Sequence, residues 1–214
     1  MKDIALAFEG QKEELKKEYD KYKNGFDIIK EELEKRIVNT EYYKGVFYEI
    51  FPFSYQRAGL KQGKPIENKN HIKSSNDLYA YSFDKKNNII EVKHGISIEG
   101  EFYYQFLFHE NDRVKSMNFD NRKTLQNVSL YFFNSNNKIA KSYLKGRRGS
   151  RGEEYHYNKG EILEKITIRQ FDRNDNEADT LFHSFEYNFD GSLKSITKSA
   201  LNNNNYSEII YLKK

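Results

Sequence analysis

Four cations and three glycines fall within eleven residues, LKGRRGSRGEE, Leu144–Glu154: Lys145, Arg147, Arg148 and Arg151 stand among Gly146, Gly149 and Gly152. A guanidinium forks onto phosphate or carboxylate through paired N–H donors, and glycines let a backbone approach such a ligand closely. Lys145, Arg147, Arg148, Arg151 and the nearby Tyr155 are therefore candidates for partner binding. Glu153 and Glu154 follow at once and cancel part of the field. An acidic protein surface suits the stretch as well as nucleic acid does, and a plain solvated loop competes with both.

Other chemistry is sparse. The histidines at 71, 94, 109, 156 and 183 are dispersed, and none has the partner spacing of a metal site. Asp172-Arg-Asn174-Asp-Asn176 imitates the start of a calcium-binding EF-hand loop. Its sixth position is Glu177 where glycine is needed, and its twelfth is His183 where a bidentate glutamate is needed. The stretch AGLKQGK lacks the spacing of a phosphate-binding loop, and no glycine-flanked serine forms a nucleophile elbow. His109-Glu-Asn-Asp112 holds acid and base types, but neighbours on one turn seldom converge on a substrate. The absence of cysteine excludes disulfides and thiolate chemistry. The expectation is no cofactor, no metal and no enzymatic activity.

The elements that must hold these residues are more regular. The chain has 214 residues, aromatics make up 15%, and the charge of +4 is a weak excess of 36 basic over 32 acidic side chains. Tyrosine- and phenylalanine-rich, proline-poor chains suit sheets with large amphipathic rings on their faces. Residues 3–38 read as helix, with Phe8, Leu15, Tyr19, Tyr22, Phe26, Ile29, Leu33 and Ile37 forming one apolar stripe. Asn24-Gly25 interrupts it, which leaves one kinked helix or two helices, and the unbroken phase favours the kink. No stretch approaches the roughly 20 apolar residues of a spanning helix. The N-terminal apolar run is too short for a secretory leader. No membrane association and a cytoplasmic location are expected. Residues 41–51 read as a first strand or hairpin, and 54–77 as a polar connector.

From Tyr81 the chain repeats. YSFDKKNNI is followed by FLFHENDRV, YFFNSNNKI, YHYNKGEI (taken as one residue shorter) and FEYNFDGSL. The third positions, Phe83, Phe108, Phe133, Tyr157 and Tyr187, lie 25, 25, 24 and 30 residues apart. Aromatics two apart share a strand face. An Asx residue next starts a turn, and Gly, Asn or Asp then tolerates positive φ. Each unit is thus a β-hairpin. Some aliphatics on the returning strands are three apart, which puts them on opposite faces or requires a bulge. Both options are open at this level. Tyr206–Leu212 supplies a last strand.

This pattern resembles the YD repeat of RHS-type proteins, whose core reads tyrosine, any residue, tyrosine, aspartate, two residues, glycine, arginine, leucine. FEYNFDGSL and YSFDKKNNI match it best; the aspartate is kept at Asp84 and the arginine at Arg113. It is also similar to the short tandem-hairpin repeats of small bacterial immunity or antitoxin-like proteins. The resemblance covers residues 79–198 and implies architecture: a mainly β fold with an N-terminal helix, a twisted antiparallel meander of tandem β-hairpins with about ten to twelve strands. The helical stripe and the hairpin pattern divide the chain into a helical segment, 1–40, and a hairpin-repeat domain, 41–214, that includes the polar connector 54–77. Five repeats are too few to enclose a domain, so the shell of large RHS proteins is not implied. What is implied is a non-enzymatic module that binds a protein partner, a toxin domain in the immunity case. The alternative is a nucleic-acid-binding module using the basic stretch 145–151 with exposed tyrosines.

Overall fold

A computed structural model of the chain describes residues 2–67, 76–202 and 206–213, with side chains from residue 10 onwards. The side chain of Phe8 and all of His71 lie outside the described residues. The fold is mainly β. Two helices, α1 (Lys2–Tyr22) and α2 (Phe26–Glu34), precede thirteen strands. These are β1 (Asn39–Lys44), β2 (Lys64–Pro65), β3 (Leu78–Phe83), β4 (Ile89–Gly95), β5 (Phe102–His109), β6 (Arg113–Phe119), β7 (Leu125–Phe133), β8 (Ile139–Gly146), β9 (Gly149–Tyr157), β10 (Leu163–Asp172), β11 (Leu181–Tyr187), β12 (Leu193–Ala200) and β13 (Ser207–Leu212). Strands β3 to β13 lie side by side in chain order, and β1 pairs with β3 and carries β2 on its other side. A four-residue helix, α3 (Ser54–Arg57), lies between β1 and β2. Residues 46–51 add no strand; the antiparallel partner of β1 beyond β3 is Lys64–Pro65. The helical stretch is two helices rather than one kinked helix, because Gly25 turns back to donate to the Tyr22 carbonyl at 2.9 Å.

The hairpin turns follow one chemical rule, used six times. An Asx residue at position i pairs its backbone N–H with the carbonyl of i+4, and its own carbonyl receives the N–H of i+3. This holds at Asp84, Asp120, Asn134, Asn158, Asp172 and Asn188. In the first five the side-chain oxygen also accepts the N–H groups of i+2 and i+4. Residue i+3 then takes positive φ: Asn87, Lys123, Asn137, Glu161, Asp175 and Gly191, between 57° and 77°. The fourth repeat is therefore not one residue short. Glu161, not Gly160, occupies the left-handed position, and Leu163 is the buried aliphatic while Ile162 is exposed. His109 does not start such a turn; Glu110 and Arg113 close that hairpin instead. The carboxylate of Asp172 accepts hydrogen bonds within its own turn, from Asn174 and Asn176.

A bulge follows several of these turns and explains the three-residue spacing. Phe83 pairs with Ile89 and Ser82 with Glu91, leaving Ile90 extra. The same skip occurs at Glu164 and Lys194. One inserted residue shifts the alternation, so Ile89 and Val92, Leu163 and Ile166, and Leu193 and Ile196 each face the same way as the paired aromatics.

The chain forms two compact units. The helical unit holds residues 13–48 and 61–130. There α2 lays Phe26, Ile29 and Leu33 on the sheet, and the Phe26 ring meets Tyr104, Phe106 and Phe119 at 4.9, 5.6 and 5.3 Å. Each fully buried ring or branched chain of this kind contributes roughly 1.5–3 kcal/mol. Around this contact Glu14 pairs with Arg113, Glu18 with Lys115 and Asp27 with Lys123. The strap unit holds residues 1–12, 49–60 and 131–214. Its core is built from Tyr155, Ile166, Ile168, Phe185 and Ile196, under the segment 49–60.

Candidate partner-contact site

The basic stretch is not an open loop. β8 and β9 pair continuously from Lys141↔Glu154 to Gly146↔Gly149, leaving only Arg147 and Arg148 as a two-residue turn. Both arginines are exposed, and neither makes an ion pair among the described residues. Gly149 makes the tight exit possible. Its φ is +152°, and a Cβ there would lie 1.9 Å from the Phe171 carbonyl oxygen of β10. Lys145 is half-buried beside the tip, opposite Ser150.

Strand alternation separates the remaining candidates from that tip. Arg151, Glu153 and Tyr155 are two apart and share one face of β9. All three enter a polar cluster beneath the segment 49–60. Arg57, from α3, donates Nη2 to Glu153 Oε1 at 2.8 Å and Nη1 to Oε2 at 3.1 Å, a two-pronged ion pair. Its Nε donates to His183 Nδ1 at 3.0 Å. The Tyr155 hydroxyl donates to Glu153 Oε2 at 2.6 Å, and Arg151 pairs with the same carboxylate. The side chains of Arg57 and Glu153 are 7% and 10% exposed, so neither charge has water to fall back on.

The electrostatics follow from that burial. Desolvation on its own would raise the Glu153 carboxyl. The charges of Arg151 and Arg57, with hydrogen bonds from Arg57 and Tyr155, outweigh it and hold the group at about 2. Burial, then the adjacent Arg57 charge, pushes His183 down to about 4. A neutral imidazole is also what the geometry requires, because Nδ1 must accept from Arg57. Tyr155 is raised well above its ordinary value, first by burial and then by Glu153, so its hydroxyl keeps the proton it donates.

The segment carrying Arg57 is itself pinned. Phe53 meets Phe185 in a tilted contact at 5.3 Å, Phe51 lies parallel to Tyr131 at 5.9 Å, and the Arg57 guanidinium sits 5.9 Å from the Phe51 ring. Phe53 takes φ +55°, a conformation a bulky residue adopts only where its surroundings enforce it. Residues 54–57 of the expected connector are thus packed as a strap, while Ala58, Gly59 and Leu60 are exposed. Arg57 and His183 are the members of the cluster that sequence reasoning missed. The one signal was Phe51-Pro-Phe53, aromatics too apolar for a solvated loop.

The structure accordingly splits the five candidates. Arg147 and Arg148 are exposed at the tip with Lys145 beside them, while Arg151 and Tyr155 are committed to Glu153. Among the described residues no three His, Asp or Glu side chains gather as metal ligands, and no helix is long and apolar enough to cross a membrane. No protein-family model matches the chain, and no curated protein matches it either.

Proposed function

We propose that the chain is a non-enzymatic protein-binding module of the immunity or antitoxin-like kind, related to YD-type tandem hairpins, that occludes a toxin domain in the cytoplasm. The observation that carries this reading is the Arg147–Arg148 turn, two exposed guanidinium groups that find no ion-pair partner among the described residues, on a hairpin whose base is fixed by the Arg57–Glu153 pair. A preorganised charged tip loses little conformational freedom on docking, and exposed arginines are frequent anchors of interfaces. An acidic protein patch fits better than nucleic acid. The tyrosines on the two strands of the hairpin, Tyr143 and Tyr155, are both buried, and Tyr155 donates to Glu153, so neither is available to stack on a base.

Co-expression with the product of a neighbouring gene tests the proposal. The expected result is growth rescue with a tight complex, burying on the order of 1,600 Å² in total. Arg147→Ala with Arg148→Ala should abolish rescue while leaving the fold intact. Tight salt-sensitive binding to DNA or RNA without any protein complex would overturn the proposal in favour of the nucleic-acid alternative.

A further inference from the structure

The sheet ends in two unlike edge strands. β2 has two residues, Lys64 and Pro65, and lysine, proline and shortness are what sheet edges use to refuse another strand. β13 runs for six residues, Ser207-Glu-Ile-Ile-Tyr-Leu212, with no proline. Its Ile209 and Leu212 are 62% and 58% exposed.

The register against β12 fixes what this edge presents. Leu212 lies opposite Ser195 and Ile209 opposite Thr197, with Ile210 as an extra residue between Ile209 and Tyr211. Ser195 and Thr197 are two apart and share a face, so Leu212 and Ile209 share it too; in a straight strand, residues three apart would face opposite ways. The bonding phase follows from one contact. Lys213 donates its N–H to the Lys194 carbonyl at 2.9 Å, so alternate residues of β12 counted from Lys194 turn their backbone groups to β13, while Ser195 and Thr197 turn theirs to β11. Leu212 and Ile209 therefore hold their own N–H and carbonyl out of the sheet. Glu208, opposite Lys198, and Lys213, bonded to Lys194, take the other face. Glu208 accepts from the Tyr206 hydroxyl and Lys213 donates to Ser192, each at 3.0 Å, and among the described residues neither meets an opposite charge. The strap helix α3 approaches β13 on the face of Tyr211, near Tyr55, and leaves Ile209 and Leu212 uncovered.

These positions are complementary to themselves. A second β13 laid antiparallel, with Ile209 of each copy opposite Leu212 of the other, brings outward backbone groups against outward backbone groups and apolar side chains against apolar side chains. The same register sets Glu208 of each copy opposite Lys213 of the other, on the opposite face. We infer that β13 pairs in this register with β13 of a second copy of the chain, joining two sheets edge to edge about a two-fold axis. One strand pair is a small contact, which places the association at micromolar rather than nanomolar concentration. The interface is isologous and uses up the long edge, so assembly stops at two copies. It does not depend on the Arg147–Arg148 tip.

Sedimentation velocity of the full chain, from low to high micromolar concentration in low salt, reads the association. The mass should rise from that of one 25.5 kDa chain to twice that value. Glu208→Lys sets like charges opposite each other at both ends of the contact and should weaken the dimer about tenfold, as should Lys213→Glu, while the two changes together restore it. Leu212→Pro removes an N–H that points out of the sheet and should leave a folded monomer. Circular dichroism checks that each variant keeps the fold. A monomer at every concentration would overturn the inference and leave the edge to a strand of a different protein. Growth past two copies, a dimer that Glu208→Lys leaves unchanged, or failure of the charge exchange to restore it would also overturn it.

Discussion

Glu153 in the strap unit and Gln105 in the helical unit both sit on a sheet strand among tyrosines, histidine and amide or guanidinium groups, yet their oxygens meet opposite fates. The Glu153 carboxylate is reached by Arg57, Arg151 and Tyr155. The side-chain oxygens of Gln105 and Asn118 receive nothing from the described residues. The lesson concerns where a partner is already supplied. In the strap unit a segment of the same chain brings the guanidinium, and the cluster is closed and structural. In the helical unit no described residue supplies such a donor to the Gln105 and Asn118 oxygens. Conspicuous charge in the sequence marked the first region, whereas the second has chemistry of a quieter kind.

The largest break in this comparison should come from Arg57→Ala. Leaving Glu153 buried without its main partner costs about 3–5 kcal/mol. Urea unfolding of the strap unit should shift accordingly. A loss under about 1 kcal/mol would mean that the pair is exposed in solution.

Acid should act on the same cluster in two steps. His183 has an ordinary value of 6.5 and about 4 in the fold, so between these pH values the unfolded chain holds a proton the folded chain refuses. Its contribution is full above pH 6.5 and is lost as pH falls towards 4, by up to about 3 kcal/mol. Glu153, lowered from 4.5 to about 2, contributes fully above pH 4.5 and loses that contribution as pH falls through 2. Stability measured from pH 7 to 3 should therefore decline first below 6.5, and His183→Gln should remove the largest part of that step, the rest belonging to His94 and His156, which burial also lowers.

Smaller effects sharpen the picture. Gly149→Ala places a methyl against the Phe171 carbonyl and should cost about 1–3 kcal/mol, since the turn must reopen. Arg147→Ala and Arg148→Ala should each change stability by less than about 0.5 kcal/mol, because these groups are exposed. Their effects should appear in binding alone, with thermal melts overlaying the parent.

How much of this was readable beforehand differs between fold and site. The aromatic pairs Tyr81/Phe83, Phe106/Phe108, Tyr155/Tyr157 and Phe185/Tyr187 do lie on strands, because their spacing of two and the Asx residue after most of them are local chemistry. The turn at Asp120 was not anticipated, and the bulges at Ile90, Glu164 and Lys194 were one of two open options, because choosing between them needs the cross-strand register. The same reason hid the site. Arg57 lies 96 residues from Glu153 and 126 from His183, and no local pattern links them. The dense basic run drew attention for its charge, and alternation along β9 then sent Arg151 and Tyr155 inward and left Arg147 and Arg148 at the tip.

A double-mutant cycle between Arg57 and Glu153, read by urea unfolding of the strap unit, tests most directly the claim that this buried pair fixes the base of the hairpin. With Arg57→Met and Glu153→Gln as the single variants, the account predicts a coupling of about 2–4 kcal/mol. A coupling below about 0.5 kcal/mol would contradict it and return the basic stretch to a solvated surface feature.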